Sequence, residues 1–69
     1  MKLSTRNQLA GTVTDVRLGN VMASVKVTLK GGDTITAAIT REAAEELGLK
    51  AGDTTTVLVK STEVMLAVE

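Results

Sequence analysis

Neither cysteine nor histidine occurs in the chain. That removes a disulfide framework, a zinc staple and the side chains that most often carry nucleophilic and acid-base catalysis at neutral pH. Phenylalanine, tyrosine and tryptophan are also missing, so the core must be filled by Val, Leu, Ile, Met and Ala, and no ring is available for a nucleic-acid base to stack on. There is no proline, low-complexity tract or internal repeat, and the chain reads as one domain over residues 1–69. Eight basic and eight acidic residues cancel. Without a net field to draw in nucleic acid or an anionic membrane, any anion must be bound locally. No apolar run approaches the roughly 18 residues of a membrane span, and Met1-Lys2-Leu3-Ser4 does not lead into a signal-peptide core. The expected location is cytoplasmic.

What is present is an apolar fraction of 43% in 69 residues, too high for a disordered chain. A domain this small buries only roughly 60% of the surface its unfolded chain exposes, so one core is marginal. With disulfides and zinc excluded, oligomerisation is the remaining supplement.

Leu9 to Leu18 reads as a first strand, kinked or bulged near Gly11. Gly19-Asn20 reads as a tight turn in which both residues tolerate positive φ. Beyond it Val21, Ala23, Val25, Val27 and Leu29 alternate with Met22, Ser24, Lys26, Thr28 and Lys30, the clearest strand pattern in the sequence. Gly31-Gly32-Asp33 closes a second hairpin, and Thr34 to Thr40 carries Ile35, Ala37 and Ile39 inward. The period then changes: Thr40 is suited to cap a two-turn helix over Arg41 to Leu47, and Gly48 to end it in the left-handed conformation with Leu49 making the accompanying contact. Thr54 to Lys60 is a fourth strand and Val64-Met65-Leu66-Ala67-Val68 a fifth. The runs Val57-Leu58-Val59 and Val64 to Val68 do not alternate, which predicts that both faces are covered, one of them by another subunit.

This order, β-β-β-α-β-β, is that of an all-β protein with one short helix, an OB-fold-like five-stranded Greek-key barrel. An SH3-like barrel is the runner-up, and the capped helix separates the two.

The acids offer little chemistry. Glu42, Glu45 and Glu46 lie on the helix, Asp33 and Asp53 in turns, and Asp15, Glu63 and Glu69 are scattered, with no spacing that resembles a calcium loop. Surface solvation explains them better than catalysis, so an enzyme is not expected, nor direct ligation of a metal cation. Ser4-Thr5-Arg6-Asn7-Gln8 is different: two hydroxyls, a guanidinium and two amides within five residues, without a carboxylate. Such a set suits an oxyanion, though taken by itself it fits an ordinary polar N-terminal segment better. Lys60-Ser61 mirrors it at the end of the fourth strand, either converging with Ser4 and Arg6 or standing as a solvated lysine before a turn serine.

Together, Ser4, Arg6, Asn7, Gln8, Leu9 and Gly11, the Gly19-Asn20-Val21 turn, Ile35-Thr36-Ala37 with Ile39-Thr40, Glu46-Leu47-Gly48-Leu49-Lys50 with Gly52-Asp53, and Val59-Lys60-Ser61 with Val64-Met65 resemble the molbindins. This Mop family of TOBE-type, molybdenum-pterin-binding-protein-like domains is understood to bind molybdate and tungstate, and the resemblance spans nearly the whole chain. It implies an OB-like barrel assembled as a hexamer, a trimer of dimers, storing oxyanions at subunit interfaces; no organic cofactor is expected, and the composition already speaks against nucleic-acid and membrane partners. By matching position, Ser4, Arg6, Lys60 and Ser61 would form one class of site, with backbone N–H groups near Thr5 and Ser61 and with Thr40 from a neighbour. Gly19, Asn20 and Val21 would supply a second class. Thr5 departs from the alanine common in the family at that position. The implied ligand suits a donor-only site, because molybdate at neutral pH is a fully deprotonated dianion whereas much phosphate retains a proton and would set a donor against a donor. The competing function is an OB module for nucleic acid or protein, which a monomer with an open groove would favour.

Overall fold

A computed structural model describes all 69 residues, Met1–Glu69. Strands β1 (Asn7–Leu18), β2 (Met22–Leu29) and β3 (Thr34–Thr40) are followed by helix α1 (Arg41–Leu47) and strand β4 (Thr54–Val59). The strands form one antiparallel sheet in the order β3-β2-β1-β4. Alternation in β2 buries Ala23, Val25 and Val27. Val25 and Val27 join Val13 of β1 in a core cluster onto which Val16, Leu29, Ile39, Leu49 and Val57 pack.

β1 serves two neighbours in turn. Its first half pairs with β4, from Asn7 opposite Val59 to Thr12 opposite Thr54, and its second half pairs with β2, from Gly11 opposite Leu29 to Leu18 opposite Ala23. This exchange of partners goes with the curl of the sheet. A Cβ at Gly11 would lie 2.6 Å from Val27 Cγ1 and 2.8 Å from Thr28 O, so glycine is what lets β1 and β2 approach. The expected bulge exists, but three residues later. Val13 faces Val27 and Asp15 faces Lys26, leaving Thr14 between them without a partner. Its Oγ1 donates to Lys26 O at 3.2 Å. Gly11 stays in register because its function is to make space.

The first turn also differs from expectation. Neither Gly19 nor Asn20 adopts a positive φ; the turn is closed by Gly19 N–H donating to Met22 O at 2.7 Å. β2 therefore starts at Met22 and leaves Val21 exposed. The helix follows its sequence signals. Thr40 Oγ1 accepts the Ala43 N–H at 3.0 Å. At the other end Gly48 has φ +63°, with its N–H on Glu45 O and that of Leu49 on Ala44 O. These paired bonds satisfy carbonyls that the last turn would otherwise leave open.

The expectation of a closed five-stranded OB-fold barrel is not met. Four strands and one helix form an open, curled half-barrel. After β4 the chain makes a 3-10 turn over Ser61–Glu63, and Val64 to Val68 continues without pairing to the free edge of β3 or β4. Met65, Leu66 and Val68 are 91%, 92% and 97% exposed. β4 itself alternates, with Thr55, Val57 and Val59 half-buried and Leu58 exposed. The physical reason is supply of surface: only Val13, Ala23, Val25, Val27 and Ala44 are buried, and one chain has no second core to cover the outer faces of these runs.

Candidate functional site

The register of β1 against β4 places the segment that enters β1 beside the segment that leaves β4, because Asn7 lies opposite Val59. Ser4, Thr5 and Arg6 from the first segment and Lys60, Ser61 and Thr62 from the second line a cleft of about 450 Å³ together with Leu58. Five of the residues expected at the site, Ser4, Thr5, Arg6, Lys60 and Ser61, are therefore brought together. Thr62 was not anticipated. Its signal was only its position after Ser61, and the 3-10 turn is what adds its hydroxyl to the cleft.

The lining residues include two cations and four hydroxyls, and none is a carboxylate. The chain's two ion pairs join Arg17 to Asp15 and Arg41 to Glu45, so Arg6 and Lys60 both lack an acidic partner. The backbone N–H groups of Thr5, Ser61 and Thr62 donate to no acceptor in the chain. Thr5 is half-buried, whereas Ser4, Arg6, Lys60, Ser61 and Thr62 are exposed. Within one chain the donors face water, and a second surface closing over them would strengthen each bond to an anion by lowering the local dielectric. The amides of the opening segment are already engaged: Asn7 Nδ2 donates to Val59 O at 3.0 Å and Gln8 Nε2 to Thr5 O at 2.8 Å.

Thr40 lies elsewhere. With Asn20, Val21, Arg41, Glu42 and Glu45 it lines a depression of about 320 Å³, at the turn that follows the other end of β1. Arg41 is occupied there, its Nη1 donating to Gly19 O at 3.2 Å and its Nε standing 3.5 Å from Glu45 Oε1. The N–H of Gly19 is taken by Met22 O, while those of Asn20 and Val21 have no acceptor in the chain. A third depression, about 460 Å³, crosses the threonine-rich outer face of the sheet with Lys30 as its one cation. Size alone therefore does not identify the site. Charge does.

These features define a small β-sheet protein with an unpaired dicationic, donor-lined cleft. The TOBE domain pattern matches residues 3–66. Molybdenum-pterin-binding protein 3 of Clostridium pasteurianum is 44% identical over 66 residues, covering 96% of this chain and 97% of that protein. A molybdate-binding protein from Sporomusa ovata superposes with a TM-score of 0.92 at 41% identity, over 99% of this chain and all of that one. The cytoplasmic molybdate-binding protein ModG, whose structure contains bound molybdate, gives a TM-score of 0.84 at 37% identity, over 96% of this chain and 53% of ModG. The chain belongs to the TOBE family, in its molbindin branch.

Proposed function

We propose that this protein binds molybdate and tungstate in the cytoplasm for storage or homeostasis, and that it is a binding protein and not an enzyme. The observation that carries this reading is the convergence of Arg6 and Lys60, both free of acidic partners, among the hydroxyls of Ser4, Thr5, Ser61 and Thr62. Two cations balance one dianion, and every polar side chain lining the cleft can donate to an acceptor-only ligand. The ligands named for the relatives agree with that chemistry.

The cleft is completed between copies of the chain. Its donors are open to solvent, and the apolar Val64–Val68 segment is exposed beside the turn that carries Ser61 and Thr62. A hexamer built as a trimer of dimers would cover both, and would allow Thr40 of a neighbouring copy to reach the anion. A second, weaker class of site at Gly19, Asn20 and Val21 rests on the two free N–H groups of Asn20 and Val21, but Glu42 and Glu45 oppose an anion there. It needs cations from a neighbour.

The test is calorimetric titration with molybdate, phosphate and sulfate, with the oligomeric state measured by light scattering. Hydrogen bonds to charged groups are worth roughly 1.5–3 kcal/mol, so Lys60→Ala and Arg6→Ala should each weaken molybdate binding about ten- to a hundredfold. Arg6→Lys should fall between wild type and Arg6→Ala, since it keeps the charge and loses the planar fork of donors. Thr28→Ala, on β2 away from the cleft, should bind as wild type. Unchanged affinity in both alanine variants at the cleft would overturn the site.

A further inference from the structure

Asn7 and Gln8 stand next to the cleft and do not line it. Each commits its side-chain amide to a main-chain carbonyl, and each of those carbonyls belongs to the residue immediately before one of the two cations. Asn7 Nδ2 holds Val59 O, one residue ahead of Lys60, across 52 positions of sequence; Gln8 Nε2 holds Thr5 O, one residue ahead of Arg6. The first bond ties the limb carrying Arg6 to the limb carrying Lys60. The second folds the Ser4–Arg6 segment back onto the start of β1.

Resting on the oxyanion reading above, we infer that Asn7 and Gln8 are positioning residues that fix the separation of the Arg6 and Lys60 side chains without touching the anion. Two flexible cationic side chains on untied segments would each lose conformational freedom when they converge on one ligand. Ties at their roots pay part of that entropy during folding and leave less to be lost on binding. They also set the spacing of the donors. Molybdate and sulfate are both deprotonated dianions and differ chiefly in size, so spacing is what separates them.

The experiment measures molybdate and sulfate affinities of the full chain for Asn7→Ala, Gln8→Ala, Lys60→Ala and the double variant Asn7→Ala/Lys60→Ala, with thermal stability and oligomeric state recorded for each. Asn7→Ala should weaken molybdate binding about five- to tenfold and Gln8→Ala about two- to fivefold. Both should narrow the preference for molybdate over sulfate. In the Lys60→Ala background, Asn7→Ala should have little further effect, because no second cation remains to be spaced. General loosening of the protein would instead give additive losses and leave the anion preference unmoved. If Asn7→Ala does not fold, the exposed Gln8→Ala carries the same test by its narrowed preference. Weakened binding in Lys60→Ala with wild-type affinity and selectivity in both amide variants overturns the positioning inference alone. Wild-type binding in Lys60→Ala overturns the cleft itself.

Discussion

The two ends of β1 are built from similar parts and arrive at opposite electrostatics. At its start Ser4, Thr5, Arg6, Lys60, Ser61 and Thr62 present hydroxyls and two cations without a carboxylate. Beyond its far end Asn20, Val21, Thr40 and Arg41 present free amides, a hydroxyl and a cation, but Glu42 and Glu45 share the space and Arg41 pairs with Glu45. Two cations with no acid, against one cation with two acids, give the first end a charge that suits a dianion and the second a charge that opposes one. What distinguishes them is the acids that are left out, more than the donors that are present.

The largest expected effect makes the first end resemble the second. Arg6→Glu places a carboxylate in the donor cleft, reversing one charge and adding a like-charge contact, and should reduce molybdate affinity by more than about a hundredfold. Circular dichroism should remain that of the folded protein, and retention of micromolar or tighter binding would erase the contrast.

A change at the helix end should alter stability and spare the cleft. Gly48 is at φ +63° with open space where a Cβ would stand, so Gly48→Val meets backbone strain and not a clash. It should cost more than about 1 kcal/mol in a denaturant series, because β-branched residues are poorly accommodated there. Molybdate affinity of the remaining folded oligomer should be unchanged, and loss of affinity at intact assembly would couple the two ends.

The smallest expected effect is the reverse conversion. Glu42→Gln with Glu45→Gln removes both carboxylates and frees Arg41, and should raise weak anion binding at the far end about two- to fivefold, within the range for a single exposed charge. The titration belongs in the Lys60→Ala background, where the first cleft no longer dominates. No rise there would remove Gly19, Asn20 and Val21 from consideration as an anion site.

Much of the fold was legible wherever one face of an element differs from the other. β3 and α1 occupy the spans read from alternation and capping, β4 ends one residue early at Val59, and β2 begins one residue late at Met22. The C-terminal segment resisted for a physical reason. A run that is apolar on both faces reports that it needs cover, not whether the cover is in the same chain, and Val64 to Val68 finds none there. Gly11 interrupts the apolar pattern and so points to a kink or bulge near it, yet Gly11 makes room for Val27 while Thr14, three residues on, leaves the ladder. At the site, residue types alone suggested Ser4, Arg6, Lys60 and Ser61, but their convergence follows from Asn7 facing Val59. In the sequence Asn7 and Gln8 are only part of a donor-rich stretch and carry no assigned role at the site. Only the geometry shows their amides committed to carbonyls.

The bulge at Thr14 has a consequence for length variation in this sheet. Val13 and Asp15 already face consecutive residues of β2, Val27 and Lys26, so deleting Thr14 would leave every cross-strand partner in place and make the ladder continuous. What would change is twist, since a bulge bends its strand and tightens the local coil. Curvature and pairing are thus carried by different residues, and removal of one residue would change the first while keeping the second. An insertion or deletion at this point in a relative would register as a wider or narrower half-barrel around the same cleft.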